Sequence, residues 1–376
     1  MVPMATTLKD VAEHAGVSVK TVSNVVNDHP HISVSMRTRV QASLDELEYR
    51  PNLAARQLKH GRGGFIALAV PQLDSPYFSE LASHLSIQAQ RHGYILLIDI
   101  TGADEGHERR AMSGMRGHMV DGVILSPLAL TAASIEAREG TTPLVLLGER
   151  AVPRGVDHVS VDSVAASRAV GEYLMGLGRR RLSAIGRKPA EGTSSVRLRG
   201  FQSAVEDAGL PLPPMRLVSV HQFEREHGYS AMHSLLDLPS KDRPDAVFAF
   251  NDLMAIGAMR ACLERGVRIP DDIAIVGFDD IPEGRFHTPS LTTVAPDLPA
   301  LAERTVERLI LAIEGGSQEP QRIFVPWTLC VRESTEANPP PFSREGTLEP
   351  VSEPTNREFE GLDGRLARRK IRTSSA

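Results

Sequence analysis

Thr7-Leu8-Lys9-Asp10-Val11-Ala12-Glu13-His14-Ala15-Gly16-Val17-Ser18-Val19-Lys20-Thr21-Val22-Ser23-Asn24-Val25-Val26-Asn27 is the stretch whose reading decides this chain. Thr7 is an N-cap candidate for a short helix over 8–15. Leu8, Val11, Ala12 and Ala15 fall on one face of it. Gly16 offers the backbone freedom a tight turn needs, and Ser18 caps a second helix over 19–27. Val22, Val25 and Val26 turn inward there, leaving Val19, Lys20, Thr21, Ser23, Asn24 and Asn27 outside. No carboxylate on that outer face would repel phosphate, so the helix suits a major groove. Lys20 can donate to guanine, Asn24 can pair with adenine, and Val19 can meet a thymine methyl; Thr21, Ser23 and Asn27 suit phosphate oxygens. Two short helices about a glycine turn also occur as a plain packing unit, so the motif by itself leaves both readings open.

The residues downstream favour DNA. Val40, Leu44 and Leu47 give a third helix, expected over 37–48, an apolar face that closes a small core. After Glu48 the charge is purely basic, with Arg50, Arg56, Lys59 and Arg62 and no acid before Asp74. The segment Tyr49-Arg50-Pro51-Asn52-Leu53-Ala54-Ala55-Arg56-Gln57-Leu58-Lys59 places a proline at a helix start and Ala55, Arg56 and Leu58 toward a minor groove. Leu53 and Leu58 lie five apart and cannot share one narrow stripe, which leaves Leu58 as a wedge between bases or as packing against a second copy. A helix this short is marginal alone and is expected to form only on DNA.

These two segments resemble the DNA-binding headpiece and the hinge helix of the LacI/GalR family of bacterial repressors. The resemblance extends over roughly residues 6–336. It implies a homodimeric repressor of palindromic operator DNA, with a two-lobed, periplasmic-binding-protein-like domain that senses a small sugar or nucleoside-like effector. It also implies that Leu58 is the intercalating leucine.

Bulk properties agree with this division. At 376 residues the chain exceeds one compact core. The net charge of −5 conceals a head (1–62) at +2 on a body at −7, a split that favours docking to DNA through one end. Two cysteines, Cys262 and Cys330, are too few for a disulfide framework and fit a reducing cytoplasm. No apolar run reaches membrane-spanning length and no signal-peptide core opens the chain, so no membrane partner is expected.

From Gly64 onward, short apolar runs alternate with amphipathic segments. Phe65–Val70, Tyr94–Ile98, Gly122–Leu125, Leu144–Leu147 and His158–Val161 read as one set of strands; Leu182–Ile185, Arg216–Val220, Ala246–Phe250 and Ile273–Phe278 read as a second. This is an α/β pattern of parallel sheets, and two sets imply two lobes with a ligand cleft at the strands' carboxyl ends. Residues at or near those ends include Tyr77, Phe78, Asp162, Arg197, Phe223, Asn251 and Asp279, and the family resemblance places effector contacts at these positions. Aromatic faces with fixed carboxylate, amide and guanidinium groups suit a polyhydroxylated ring. Phe78 reads equally as core, and Asp252 reads as the N-cap of a helix over 253–265. Arg197 and Asp279 are the firmest, because charges facing a cleft need a partner. The family makes its inter-lobe crossings near 161–163, 291–293 and 325–327, which puts Trp327 either beside the cleft or in ordinary packing.

The organisation read from the sequence is thus a headpiece over 6–50, a hinge over 51–62, a two-lobed effector and dimerisation domain over 63–336, and a disordered tail over 337–376. Two other functions fit the residues less well. An enzyme on a doubly wound fold would need its glycines after the first strand, but Gly61, Gly63 and Gly64 precede it. No phosphate loop, metal spacing or nucleophile elbow is present, so neither catalysis nor a cofactor is expected. A sugar-binding module without a DNA role would lack residues 1–60.

Overall fold

The structure, a computed structural model, describes residues 6–26, 29, 31–47, 49, 63–114, 120–149, 153–188, 192–316 and 319–337. They divide into two compact units that meet in the sequence between Gly64 and Phe65. Asn27, the hinge with Ala55, Arg56 and Leu58, and the tail from residue 338 lie outside the described residues.

The first unit is three helices: α1 (Leu8–Ala15), α2 (Val19–Val26) and α3 (Val34–Glu46). Thr7 caps α1 in a reciprocal box with Asp10, whose carboxylate receives the Thr7 backbone N–H at 2.7 Å. Gly16 ends α1 at φ 59°, the left-handed conformation glycine tolerates best. Ser18 Oγ then receives the Thr21 amide at 3.1 Å and opens α2. Val11, Ala12, Ala15, Val22, Val25, Val40 and Leu44 make the core, with Leu47 packed against it. Seven buried side chains are few, so caps worth about 1 kcal/mol each carry real weight. Val26, half-buried, also packs against this core. One expectation shifts: α3 starts at Val34, three residues early, because Ser33 Oγ accepts from Met36 N at 3.3 Å.

The second unit holds two six-stranded sheets. The strands are β1 (Phe65–Val70), β2 (Ile95–Ile100), β3 (Gly122–Leu125), β4 (Leu144–Leu147), β5 (Asp157–Val161), β6 (Leu182–Arg187), β7 (Leu217–Ser219), β8 (Ala246–Ala249), β9 (Ala274–Phe278), β10 (Thr292–Pro296), β11 (Arg322–Val325) and β12 (Trp327–Cys330). The first lobe's sheet runs β11-β5-β4-β3-β1-β2 and is parallel throughout. The second runs β12-β10-β9-β8-β6-β7 and is parallel except for β12, which lies antiparallel to β10. That edge departs from the all-parallel expectation because of where the chain enters the sheet. Only Pro326 separates β11 from β12, so the chain enters the second sheet directly from the crossing, at the end where Pro296 finishes β10, and Trp327 starts β12 opposite Pro296, running back against it.

The covering helices include α4 (Pro76–Arg91), α5 (Glu105–Met112), α6 (Ala132–Glu136), α7 (Ser163–Gly176), α8 (Thr193–Asp207), α9 (Arg225–Leu236), α10 (Asp252–Glu264), α11 (Pro282–Phe286) and α12 (Leu298–Ile313). Strands buried on both faces read as unbroken apolar runs, as in β3, β4, β8 and β9. Glycines set the close helix pairs: α9 and α10 meet at Gly228 and Gly257, where a Cβ on either would overlap backbone of the other helix.

The lobes are joined by three crossings. The first, at Asp162, and the third, at Pro326, fall where the family resemblance implied. The second falls at Asp297, after β10, so Thr292 and Thr293 belong to the second sheet and Leu291 precedes it, none of them at the crossing. Asp162 and Asp297 have nearly the same torsions (φ −73°, ψ 81° and φ −75°, ψ 83°), and each caps the helix that follows it. Asp297 N donates to Pro326 O at 3.0 Å, tying the second crossing to the third.

Candidate functional site

Each unit carries one candidate site. In the first unit Val19 is 45% exposed and Lys20 is exposed, while Asn24 and Ser23 are half-buried along the same helix. Thr21 is half-buried, and its hydroxyl is paired with Ser18 Oγ at 2.8 Å, which fixes the start of α2. Arg39 of α3 donates to Gly16 O at 3.0 Å and braces the turn between α1 and α2. The face of α2 is therefore held by caps and by α3, and carries no acidic residue. Asn27 completes the expected set and is not among the described residues.

In the second unit a charge cluster bridges the lobes. Arg197 comes from α8, on the second lobe, and Glu149 from the loop after β4, on the first. Arg197 Nη2 donates to Glu149 Oε1 at 2.6 Å and Nε to both carboxylate oxygens at 3.2 Å, a two-point geometry that favours guanidinium over ammonium. Each side chain is 8% exposed. Ser163, the first residue of α7, donates to Glu149 Oε1 at 2.5 Å. Arg197 Nη1 donates to Phe250 O and lies 3.6 Å from Asp279 Oδ1. Its guanidinium stacks 3.5 Å from the centroid of the Phe278 ring.

Asp279 sits at φ 113°, a backbone strain of order 1–3 kcal/mol that functional sites often hold. Its amide bonds Val294 O at 2.8 Å. Next to it Asp280 pairs with Arg285 at 2.7 Å and Arg332 at 2.6 Å, pinning the turn. Burial raises the Asp279 carboxyl to about 7, with Glu149 adding repulsion and Arg197 opposing the rise. Burial, then Asp279 and Glu149, also pushes the Tyr77 phenol well up, keeping it a neutral donor. Tyr77 and Phe78, at the start of α4, meet edge to face with centroids 5.2 Å apart.

Of the residues expected at the cleft, Tyr77, Phe78, Arg197 and Asp279 are brought together. Phe223 and Asn251 form a second group at the strand ends of the second lobe: Asn251 Nδ2 donates to Phe223 O at 3.0 Å, and Lys188 Nζ lies 4.6 Å from the Phe223 ring centroid. Phe78 is half-buried and packs against the core. Asp162 stands apart, at the crossing, where it accepts from Ala165 N at 3.0 Å.

One assignment is corrected. Asp252 is not the cap of α10; Asn251 is, with extended torsions and its Oδ1 accepting from Met254 N at 3.0 Å. Asp252 is the first helical residue and fully buried, taking the Thr293 hydroxyl at 2.6 Å and the Ile281 amide at 2.9 Å. It clamps α10 to β10 and to the β9–α11 loop, and burial raises its carboxyl well above the ordinary value. Glu149 and Ser163 were not among the candidates. The same strand-end rule that picked Asp279 points to Glu149, two residues after β4.

Comparisons with known proteins bear on both sites. Residues 7–52 match the family described as bacterial regulatory proteins, lacI family, and residues 172–335 match a periplasmic binding protein-like domain. The chain is 32% identical over 336 residues to the HTH-type transcriptional regulator DegA of Bacillus subtilis, covering 88% of this chain and 98% of DegA. Among solved structures it is similar to the lac repressor dimer bound to operator and the anti-inducer ONPF (TM-score 0.75, 27% identity, 88% of this chain and 99% of that one). It is also similar to the transcriptional regulator CelR–cellobiose complex (TM-score 0.65, 29% identity, 88% of this chain and 99% of that one).

Proposed function

The chain belongs to the LacI family of bacterial transcriptional regulators, and from that premise we propose that it is a homodimeric repressor of carbohydrate or nucleoside utilisation genes, acting on a palindromic operator. Val19, Lys20 and Asn24 read bases, while Thr21, Ser23 and Asn27 bind phosphate oxygens. Ala55, Arg56 and Leu58 enter the minor groove, with Leu58 as the wedge. A sugar or nucleoside-like effector binds among Tyr77, Phe78, Arg197, Phe223, Asn251 and Asp279, with Glu149 added to the set. Asp162 acts from the crossing, through the angle between the lobes. Binding shifts the lobes and with them the DNA affinity, a coupling worth about 1–3 kcal/mol in such systems. The ligand is read as a signal that is not turned over.

The observation that carries this reading is the buried Glu149–Arg197 pair across the lobes. A charge pair with so little exposure, beside aromatic rings and at strand ends, is where a ligand can alter lobe closure. The dimer reading draws on a separate feature. Ile87 of α4 and Ile98 and Ile100, on one face of the edge strand β2, are each 44–55% exposed, an apolar surface suited to a second copy.

The test is selection of operator sequences from a random library by the purified protein, followed by anisotropy titrations against salt and against sugars and nucleosides. A two-fold symmetric consensus, an affinity that falls steeply with salt and at least one compound that changes it are expected. Enriched sites lacking two-fold symmetry would refute the dimeric repressor.

A further inference from the structure

We propose that the cleft accepts an uncharged, hydroxyl-rich ligand and rejects its phosphorylated or carboxylated counterpart, because Glu149 already occupies the guanidinium of Arg197. The inference rests on the reading of this cleft as the effector site. Arg197 is the group that would be expected to capture an anion, since its fork matches carboxylate and phosphate oxygens. Its Nε and Nη2 are taken by Glu149, its Nη1 faces Phe250 O and Asp279, and its flat face is covered by Phe278.

The charge balance around it points the same way. The groups that act electrostatically on Arg197 are Glu149, Asp279 and Tyr77, two carboxylates and a phenol against one guanidinium. Two other cations lie near these strand ends: Lys188 is half-buried over Phe223 in the field of Glu224, and Arg187, the last residue of β6, is exposed; neither is among the groups that act on Arg197. Among the described residues no uncompensated cation therefore faces the cluster. An entering phosphate or carboxylate would meet the Glu149 carboxylate, joined by Asp279 where that group is ionised, in a site shielded from water, where like charges are poorly screened. Hydroxyl groups fit instead. Asp279 and Glu149 offer acceptor lone pairs, and Tyr77 and Phe78 offer ring edges and faces to the apolar side of a sugar ring.

Two measurements test this on the full-length protein. In the first, binding is compared by calorimetry within matched pairs: glucose and glucose 6-phosphate, ribose and ribose 5-phosphate, galactose and galacturonate. A sugar that binds is expected to do so at least ~100-fold more tightly than its anionic partner, as a missing counter-charge in a buried site implies. An anionic partner that binds as tightly as its neutral parent overturns the proposal while leaving the cleft as a ligand site.

The second needs no sugar. Inorganic phosphate, compared with chloride at matched ionic strength, is expected to leave the melting temperature of the wild-type protein unchanged. In Glu149→Gln the freed guanidinium is expected to bring a phosphate-dependent rise, and Glu149→Gln/Arg197→Met is expected to lose it again. Wild-type protein stabilised by phosphate, with the effect lost in Arg197→Met, overturns the proposal. So does a Glu149→Gln variant blind to phosphate. A neutral sugar that still binds the double variant with full affinity sits elsewhere and overturns the effector-site reading itself.

Discussion

Replacing Arg197 with alanine isolates what the cross-lobe pair contributes. An exposed ion pair is worth about 0–1 kcal/mol, but Arg197 and Glu149 are each only 8% exposed, so that figure does not apply. The substitution removes all three guanidinium hydrogen bonds to Glu149, the donor to Phe250 O and the stacking on Phe278. It leaves the Glu149 carboxylate buried near Asp279, with Ser163 as its remaining donor. Breaking one side of a buried pair costs about 3–5 kcal/mol. At roughly 2–4 °C per kcal/mol for a unit of this size, the melting temperature should fall by about 6–20 °C. Glu149→Ala should cost less, because Asp279, 3.6 Å away, still faces the guanidinium. The double variant Glu149→Leu/Arg197→Met, which removes both charges and keeps volume, should recover most of the loss, since apolar replacement of a buried pair is often neutral. Urea unfolding followed by circular dichroism and by Trp327 fluorescence gives all the free energies. An Arg197→Ala variant within 1 kcal/mol of wild type, or a double variant costing the sum of the singles, would refute the reasoning.

Three further outcomes are expected. Lys20→Ala should cost about 1–3 kcal/mol at one base pair and spare non-specific binding; uniform weakening over all sequences, measured by anisotropy, would make Lys20 a phosphate contact. Asp279 has a folded pKa raised to about 7 against an ordinary 3.8, so the folded state holds the extra proton and its contribution to stability is present below pH 4 and lost as pH rises through 7. Asp279→Asn should accordingly flatten the pH dependence of unfolding between about pH 4 and 7, and an unchanged profile would place the titration elsewhere. Gly257→Ala would gain about 1 kcal/mol of helix propensity in an open helix. Here its Cβ would overlap Arg225 O and lie 2.8 Å from Tyr229 N, so the α9–α10 pair must spread, at a net cost of about 2 kcal/mol or more by chemical denaturation.

The headpiece was legible because its determinants are local. Caps at Thr7 and Ser18, the glycine turn and the apolar spacing act within one or two helical turns, so they survive in the one-dimensional pattern. The strands of the α/β unit were legible for a related reason: burial on both faces writes an unbroken apolar run whatever the neighbours are. Asp279 stood out as a charge next to such a run and Glu149 obeys the same rule, whereas Arg197, inside helix α8, was marked by its charge and the family resemblance. Nothing in the local sequence pairs residues 48 positions apart, and only the folding of two lobes against each other brings Glu149 to Arg197. The same holds for Asp252. Its neighbours in sequence suggest a helix cap, whereas its partners are Thr293 and Ile281, 41 and 29 positions away. The position of the second crossing and the reversed edge strand β12 likewise follow from how the chain closes in space. The sequence by itself determined the fold class, the family and the helix-turn-helix of the headpiece, since these rest on short-range periodicity and capping. Only the tertiary structure decided which charges neutralise one another in the cleft, because Coulomb interactions and desolvation depend on distance through space and not along the chain.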